Sequence, residues 1–278
     1  MYSQITANKR KTWLLIACFT AVVILVGWAY GQSTGAGYGG LTVAAVISLG
    51  MALFSYYAGD KVALATAGAK PLGATDNPYL QRMVENLAIT AGLPMPKLYL
   101  IHDPAINAFA TGRDPRHASV AVTTGALEQL KNEELEGVLA HELSHIGNYD
   151  IRLMTVVIVL VGLVTLLSDW FLRARWYSGG RGGRGERSNG SAGALAVVGL
   201  VFLILAPIVG KLIQLAVSRR REFLADASGS LLTRYPEGLA LALEKISSVN
   251  QQPMRRAHEA TAHLYVSSPF GAAGQRLA

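Results

Sequence analysis

Two uncharged apolar runs near the start of the chain limit what it can fold into more than any other feature. Residues 12–30 and 38–58 contain no Asp, Glu, Lys, Arg or His. Each is long enough to cross the roughly 30 Å hydrocarbon core of a bilayer as a helix. The uncharged stretch 31–37 between them, with its Gly and Ser, reads as a turn, so the pair reads as a transmembrane hairpin. Lys9, Arg10 and Lys11 precede it, and Lys61 and Lys70 follow on the same side. The positive-inside rule puts that side in the cytoplasm. A cleaved signal peptide is the alternative for the first run, but the run exceeds the usual signal core and no clear A-x-A site follows.

Two more apolar runs, 153–168 and 192–210, read as a second hairpin around a Gly-, Ser- and Arg-rich loop, Tyr177 to Gly193. Arg173, Arg175, Arg181, Arg184 and Arg187 would then lie on the non-cytoplasmic side, which the charge rule disfavours. Either the first hairpin sets the orientation or this second pair does not fully cross, and two crossings are the expectation. Only 15% of the 278 residues are charged, against about 25% in a typical soluble domain. The net charge of +7 sits largely beside the apolar runs, as lipid anchoring requires. No basic stretch is interleaved with stacking aromatics, so nucleic acid is not an expected partner. None of the four runs carries an ionisable group of the kind ion pathways use, which argues against a transporter. Cys18 is the one cysteine, so neither an internal disulfide nor a Cys-rich zinc site is available.

Residues 60–152 read as soluble. Asn77 and Pro78 start a helix with Leu80, Val84, Leu87, Ala88 and Ala91 on its apolar face, and Gly92 ends it. Strand-like stretches follow at 97–101, 108–110 and 119–122, for which a small antiparallel sheet is the simplest assembly. A short helix is expected from Thr124 to Leu130. Asn132 is expected to cap the next helix, with Glu133, Glu134 and Glu136 in its first turns. Pro236 opens another amphipathic helix, to about Ser247, and residues 250–278 show no strong periodicity.

The helix after Asn132 carries His141-Glu142-Leu143-Ser144-His145. Helical residues four apart share a face, so both imidazoles can reach one metal ion, and Glu142 can reach a water on it. Charged residues on both sides, including Asp150 and Arg152, argue against a metal sunk within the bilayer. A catalytic zinc keeps three protein ligands and one open position. Glu222 is the best third candidate, with Asp226 on the same helical face in a position to orient a histidine. Alternatively, Glu222 balances Arg219, Arg220 and Arg221 before it. His263, Arg255 and Arg256 are candidates for steadying the oxyanion, and spacing does not choose among them. The histidine helix ends shortly before one apolar run and the Glu222 helix starts shortly after another, with little linker in either case, which places the active site close to the bilayer surface.

Taken together, these stretches resemble the HtpX-type membrane zinc metalloproteases, relatives of the CAAX prenyl proteases. The matching residues are Pro104 through Gly112, Thr123-Thr124-Gly125, Glu134 through Asp150 and Arg221 through Asp226. The resemblance implies an α+β fold: a helical gluzincin-like catalytic domain with a small antiparallel sheet, joined to about four transmembrane helices in two hairpins. It implies one zinc ion per chain on His141, His145 and Glu222, with Glu142 catalytic and Asp226 behind the ligands. It also makes Asn107, Ala108, Phe109, Ala110 and Thr111 an edge strand for extended substrate, although Phe109 could equally be core. The implied activity is endoproteolysis of misfolded or damaged membrane proteins under stress, on the cytoplasmic face of a bacterial inner membrane. The expected divisions are 1–59, 60–152, 153–217 and 218–278. A prenyl protease needs more spans than are found, and a non-cleaving adaptor is disfavoured by the intact Glu142 and ligand set. The family's Thr-His-Pro-Pro-like C-terminal stretch does not occur before Ala278, so a gating or oxyanion residue within it is expected to be missing.

Overall fold

The computed structural model describes residues 2–35, 37–73, 75–162, 218–249, 252–258 and 261–271. Helices α1 (Tyr2–Thr34) and α2 (Tyr38–Ala67) form the expected N-terminal hairpin, joined by a tight turn. The helices meet through small residues. A Cβ on Gly27 would lie 2.1 Å from that of Ala44, and one on Gly40 would lie 2.7 Å from the Cα of Gly31. Such small-residue stripes let backbones approach closely where the hydrophobic effect does not drive helix pairing.

Both helices outrun their apolar cores. Residues 2–11 are helical, and α2 continues past Asp60 and Lys61 to Gly68, whose left-handed φ of 68° ends it. The division expected at 59 therefore falls inside a continuous helix. Among the described residues, α2 is long and apolar enough to cross a membrane, and only 17% of its apolar window is buried. Of the expected second hairpin, residues 163–168, the loop 177–193 and the run 192–210 lie outside the described residues.

A two-residue strand β1 (Lys70–Pro71) leads to α3 (Pro78–Ala91), which begins as its caps dictate. Asn77 accepts the Leu80 N–H at 3.0 Å, Pro78 fills the first turn and Gly92 closes the helix at φ 65°. Strands β2 (Lys97–Ile101), β3 (Ala108–Gly112) and β4 (Ala118–Thr123) complete a sheet of order β1-β2-β4-β3. The expected antiparallel sheet is in fact mixed, because β2 and β4 run parallel. The chain leaves β2, passes the place β4 will fill, forms β3 at the edge and hairpins back. β4 is buried at every position, as its unalternating Val120-Ala121-Val122 suits a strand covered on both faces.

After α4 (Thr124–Gln129) comes α5 (Asn132–Gly147), the histidine helix. Its N-cap is Lys131 rather than Asn132, because the Glu134 carboxylate turns back to accept the Lys131 N–H at 2.8 Å. α6 (Asp150–Gly162) follows a break of two residues at a bend of 83°, with Tyr149 at φ 59°. So the histidine helix does not run straight into the third apolar run. α7 (Arg219–Thr233) and α8 (Pro236–Val249) close the fold.

The sheet separates two cores. On one face Leu98, Val120 and Val122 pack with Leu139 and Leu143 of α5, Val84 of α3 and Ile246 of α8. On the other, Ile101, Phe109 and Ala121 meet Ala63 and Leu64 of α2 and Met154 and Ile158 of α6. The apolar helices are thus built directly onto the sheet that supports the histidine helix.

Candidate active site

His141, Glu142 and His145 are 6%, 2% and 4% exposed, between the sheet and α7. Their helix places both imidazoles on one side, with rings 4.7 Å apart and almost perpendicular at 87°. The two Nε2 atoms stand 3.1 Å apart, and Glu222 Oε2 lies 3.6 Å from each. These donors all fall within 4.8 Å of one another. Asp226, one turn along α7, sets its Oδ1 2.9 Å from His141 Nδ1.

A sixth member comes from the bend after α5. Asp150, fully buried, sets its Oδ2 3.1 Å from His145 Nδ1. Ionised carboxylates only accept, so each imidazole keeps a proton on Nδ1 toward its carboxylate and turns Nε2 inward. Two imidazole nitrogens and a carboxylate oxygen converge there, each a ligand atom once the histidines release their Nε2 protons to an incoming cation. That donor set fits a divalent cation of the kind imidazole and carboxylate bind. The 83° bend is what brings Asp150 back over His145, and a contact made by a bend is why Asp150 reads from its neighbours in sequence as a charge alone. The readable signal was the helix-stopping pair Gly147-Asn148 just after the motif.

Protonation follows from these neighbours. Burial opposes charging His145, but Asp150, Glu222 and Glu142 outweigh it and push the imidazole up to about 10. Burial likewise opposes charging His141, and Asp226 with Glu222 raises it nonetheless. Burial would raise Glu222, yet the two histidines hold it far below the ordinary carboxylate range. Glu142 goes the other way: burial pushes its carboxyl up despite both histidines. The backbone N–H of Ala110 on β3 faces the Glu142 carboxylate.

β3 is an edge strand, as expected, but several groups on and beside its outer edge have partners. Val266 N–H donates to Ala108 O at 3.2 Å, Thr155 Oγ1 accepts Gly112 N–H, and Asn107 Nδ2 donates to Ser267 O at 2.9 Å. Phe109 is fully buried against Tyr265, ring to ring at 5.1 Å, which is the core role weighed for it. Arg255 and Arg256 stand at a separate cavity of about 230 Å³ beside Gly68 and Asp103. His263 approaches the Met154 carbonyl at 3.4 Å. Burial, with the Arg221 charge adding to it, pushes His263 down to about 4.

Comparison with known proteins agrees with this geometry. The model of peptidase family M48 matches residues 74–270. The chain belongs to peptidase family M48. Among curated proteins, a protease HtpX homolog of Thermoanaerobacter pseudethanolicus is 44% identical over 278 residues, covering 100% of this chain and 93% of that protein. The Tropheryma whipplei homolog is 46% identical across 97% of this chain and 90% of its own length. That of Streptococcus gordonii is 42% identical across 97% and 91%. Among solved structures, S. mikatae Ste24p aligns at TM-score 0.47 and 17% identity, over 89% of this chain and 60% of that one. That likeness is too slight to add to the argument. Family M48 membership and the protease relatives make the chain a metalloprotease. The exposed apolar surface of α2, with Val46 68% and Leu49 60% accessible, makes it a membrane-associated one.

Proposed function

We propose that the chain is a zinc endopeptidase anchored in a bacterial cytoplasmic membrane, cutting misfolded or damaged membrane proteins at its cytoplasmic face. His141, His145 and Glu222 hold the ion, Asp226 and Asp150 orient the imidazoles, and Glu142 is the general base. The convergence of the two Nε2 atoms and Glu222 Oε2, with a carboxylate behind each imidazole, carries this reading.

His141, His145 and Glu222 would hold a zinc ion there, and its chemistry would be to polarise a peptide carbonyl and acidify a water to a pKa of about 7. Glu142 takes the proton as the water oxygen bonds to the carbonyl carbon. It then delivers that proton to the amine nitrogen as the C–N bond breaks. The raised pKa of its buried carboxyl suits a group that must hold the proton between these steps. Extended substrate added at β3 would displace Val266 from Ala108 and the Ala110 N–H from Glu142, freeing the base as the substrate binds. The placement near the bilayer rests on α2, which runs unbroken from its apolar stretch to the underside of the sheet.

The test is cleavage of an unfolded casein by the purified, detergent-solubilised chain, after chelation and after zinc re-addition. Wild type is expected to cut only with zinc. Glu142→Gln is expected to bind zinc at the same stoichiometry and cut about 10²–10⁴-fold more slowly. Zinc binding without cleavage in wild type would instead mark a non-cleaving adaptor, and no zinc binding would end the metal reading.

A further inference from the structure

Asp150 has a second oxygen, and what holds it comes from the far end of the sequence. Asn8, on the first helix and only 3% exposed, donates from Nδ2 to Asp150 Oδ1 at 2.6 Å. The same nitrogen lies 3.1 Å from the Asn148 carbonyl. Lys9 sits over the Tyr149 ring at 4.0 Å, so two consecutive residues of α1 grip the bend between α5 and α6. From the other side, Arg221 Nε lies 3.7 Å from Asp150 Oδ1, one residue before Glu222 on α7. One buried carboxylate therefore joins three elements: Oδ2 faces His145, and Oδ1 faces Asn8 and Arg221.

We infer that Asn8 is a positioning residue for the metal site, acting through Asp150, so that the N-terminal helix is part of the catalytic scaffold as well as an anchor. A carboxylate rotates about its last torsion, and one oxygen must be pinned if the other is to hold an imidazole in a fixed orientation. Asn8 supplies that pin without charge, leaving the carboxylate ionised and accepting from His145. An aliphatic residue of similar volume would pack as well and pin nothing. This role rests on the reading of His141, His145 and Glu222 as metal ligands.

The measurement is zinc affinity of the full-length, detergent-solubilised chain, by competition with a chromophoric chelator at neutral pH. Asn8→Ala is expected to weaken zinc binding about tenfold. Asn8→Leu, which keeps the volume should the alanine variant fold poorly, is expected to do the same. In an Asp150→Ala background the Asn8 substitution is expected to add less than about twofold, because its target is gone. Phe19→Ala loosens the same helix against Leu153 and Val156 without touching Asp150, and is expected to leave zinc affinity unchanged. Wild-type affinity in folded Asn8→Leu, full additivity with Asp150→Ala, or an equal loss in Phe19→Ala would each overturn the inference. A wild type that binds no zinc would overturn the metal reading and this inference together.

Discussion

The two helices that share the candidate metal site are built in opposite ways. On α5, nearly every residue from Glu134 to Ile146 is buried, and the histidines are fixed by the core around them. On α7, Phe223 is 71% and Leu231 76% exposed, and the Glu222 and Asp226 side chains are 44% and 43% exposed. The inner bracket, Asp150 on His145, is sealed; the outer bracket, Asp226 on His141, faces solvent. The contrast teaches where the site's rigidity resides. Its imidazole half is part of the fold, and its carboxylate half is docked onto it.

Removing a donor from each half gives the largest expected difference. His145→Ala should abolish stoichiometric zinc and activity. It should also lower metal-free stability by about 1–3 kcal/mol, since it leaves Asp150 buried with a lost partner. Glu222→Ala should also lose tight zinc, with a smaller loss of metal-free stability, because its side chain borders water that screens its pairing with the histidines. Zinc titration and thermal melting of both variants test this. Equal destabilisation by the two would show that α7 is as much a part of the core as α5.

The brackets sharpen the same comparison at smaller scale. Losing an oriented carboxylate behind a ligating histidine costs about 10–100-fold in affinity. Asp150→Asn should sit near the top of that range and Asp226→Asn near the bottom, where solvent can replace the lost hydrogen bond. Zinc competition titrations rank them, and a reversed order would place the outer bracket in control.

How much of this was legible beforehand depended on how local the cause was. The spacing of His141, Glu142 and His145, the pair Glu222 and Asp226, and the caps of α3 at Asn77 and Gly92 are set within a helical turn, and the structure places them together as read. The parallel pairing of β2 with β4 was not legible, because it depends on a crossing to the sheet edge that no short pattern encodes. Asp150 and Asn8 were missed for a related reason: their contact joins residues 142 positions apart and depends on the bend at Tyr149. The true cap of α5 differs by one residue because Glu134 prefers the Lys131 N–H.

The finest test uses glycines on opposite flanks of α5. A Cβ on Gly137 would meet the Leu239 backbone N at 2.5 Å, where α8 is packed into the core and cannot yield. Gly137→Ala should therefore cost about 1–3 kcal/mol by overpacking. On Gly229 the added carbon would stand 3.1 Å from His141 N, a crowding that α7 can relieve by moving a few tenths of an ångström. Gly229 lies on the face of α7 that carries Glu222 and Asp226, and alanine there gains about 0.5–1 kcal/mol of helix stability. The two effects should nearly cancel, so Gly229→Ala is expected to melt like wild type while zinc affinity falls a few-fold as the carboxylates retreat. Melting and titration on the same samples separate the two. A Gly229→Ala variant that loses stability as Gly137→Ala does would mean that α7 cannot move, and that the exposed half of the site is as rigid as the buried one.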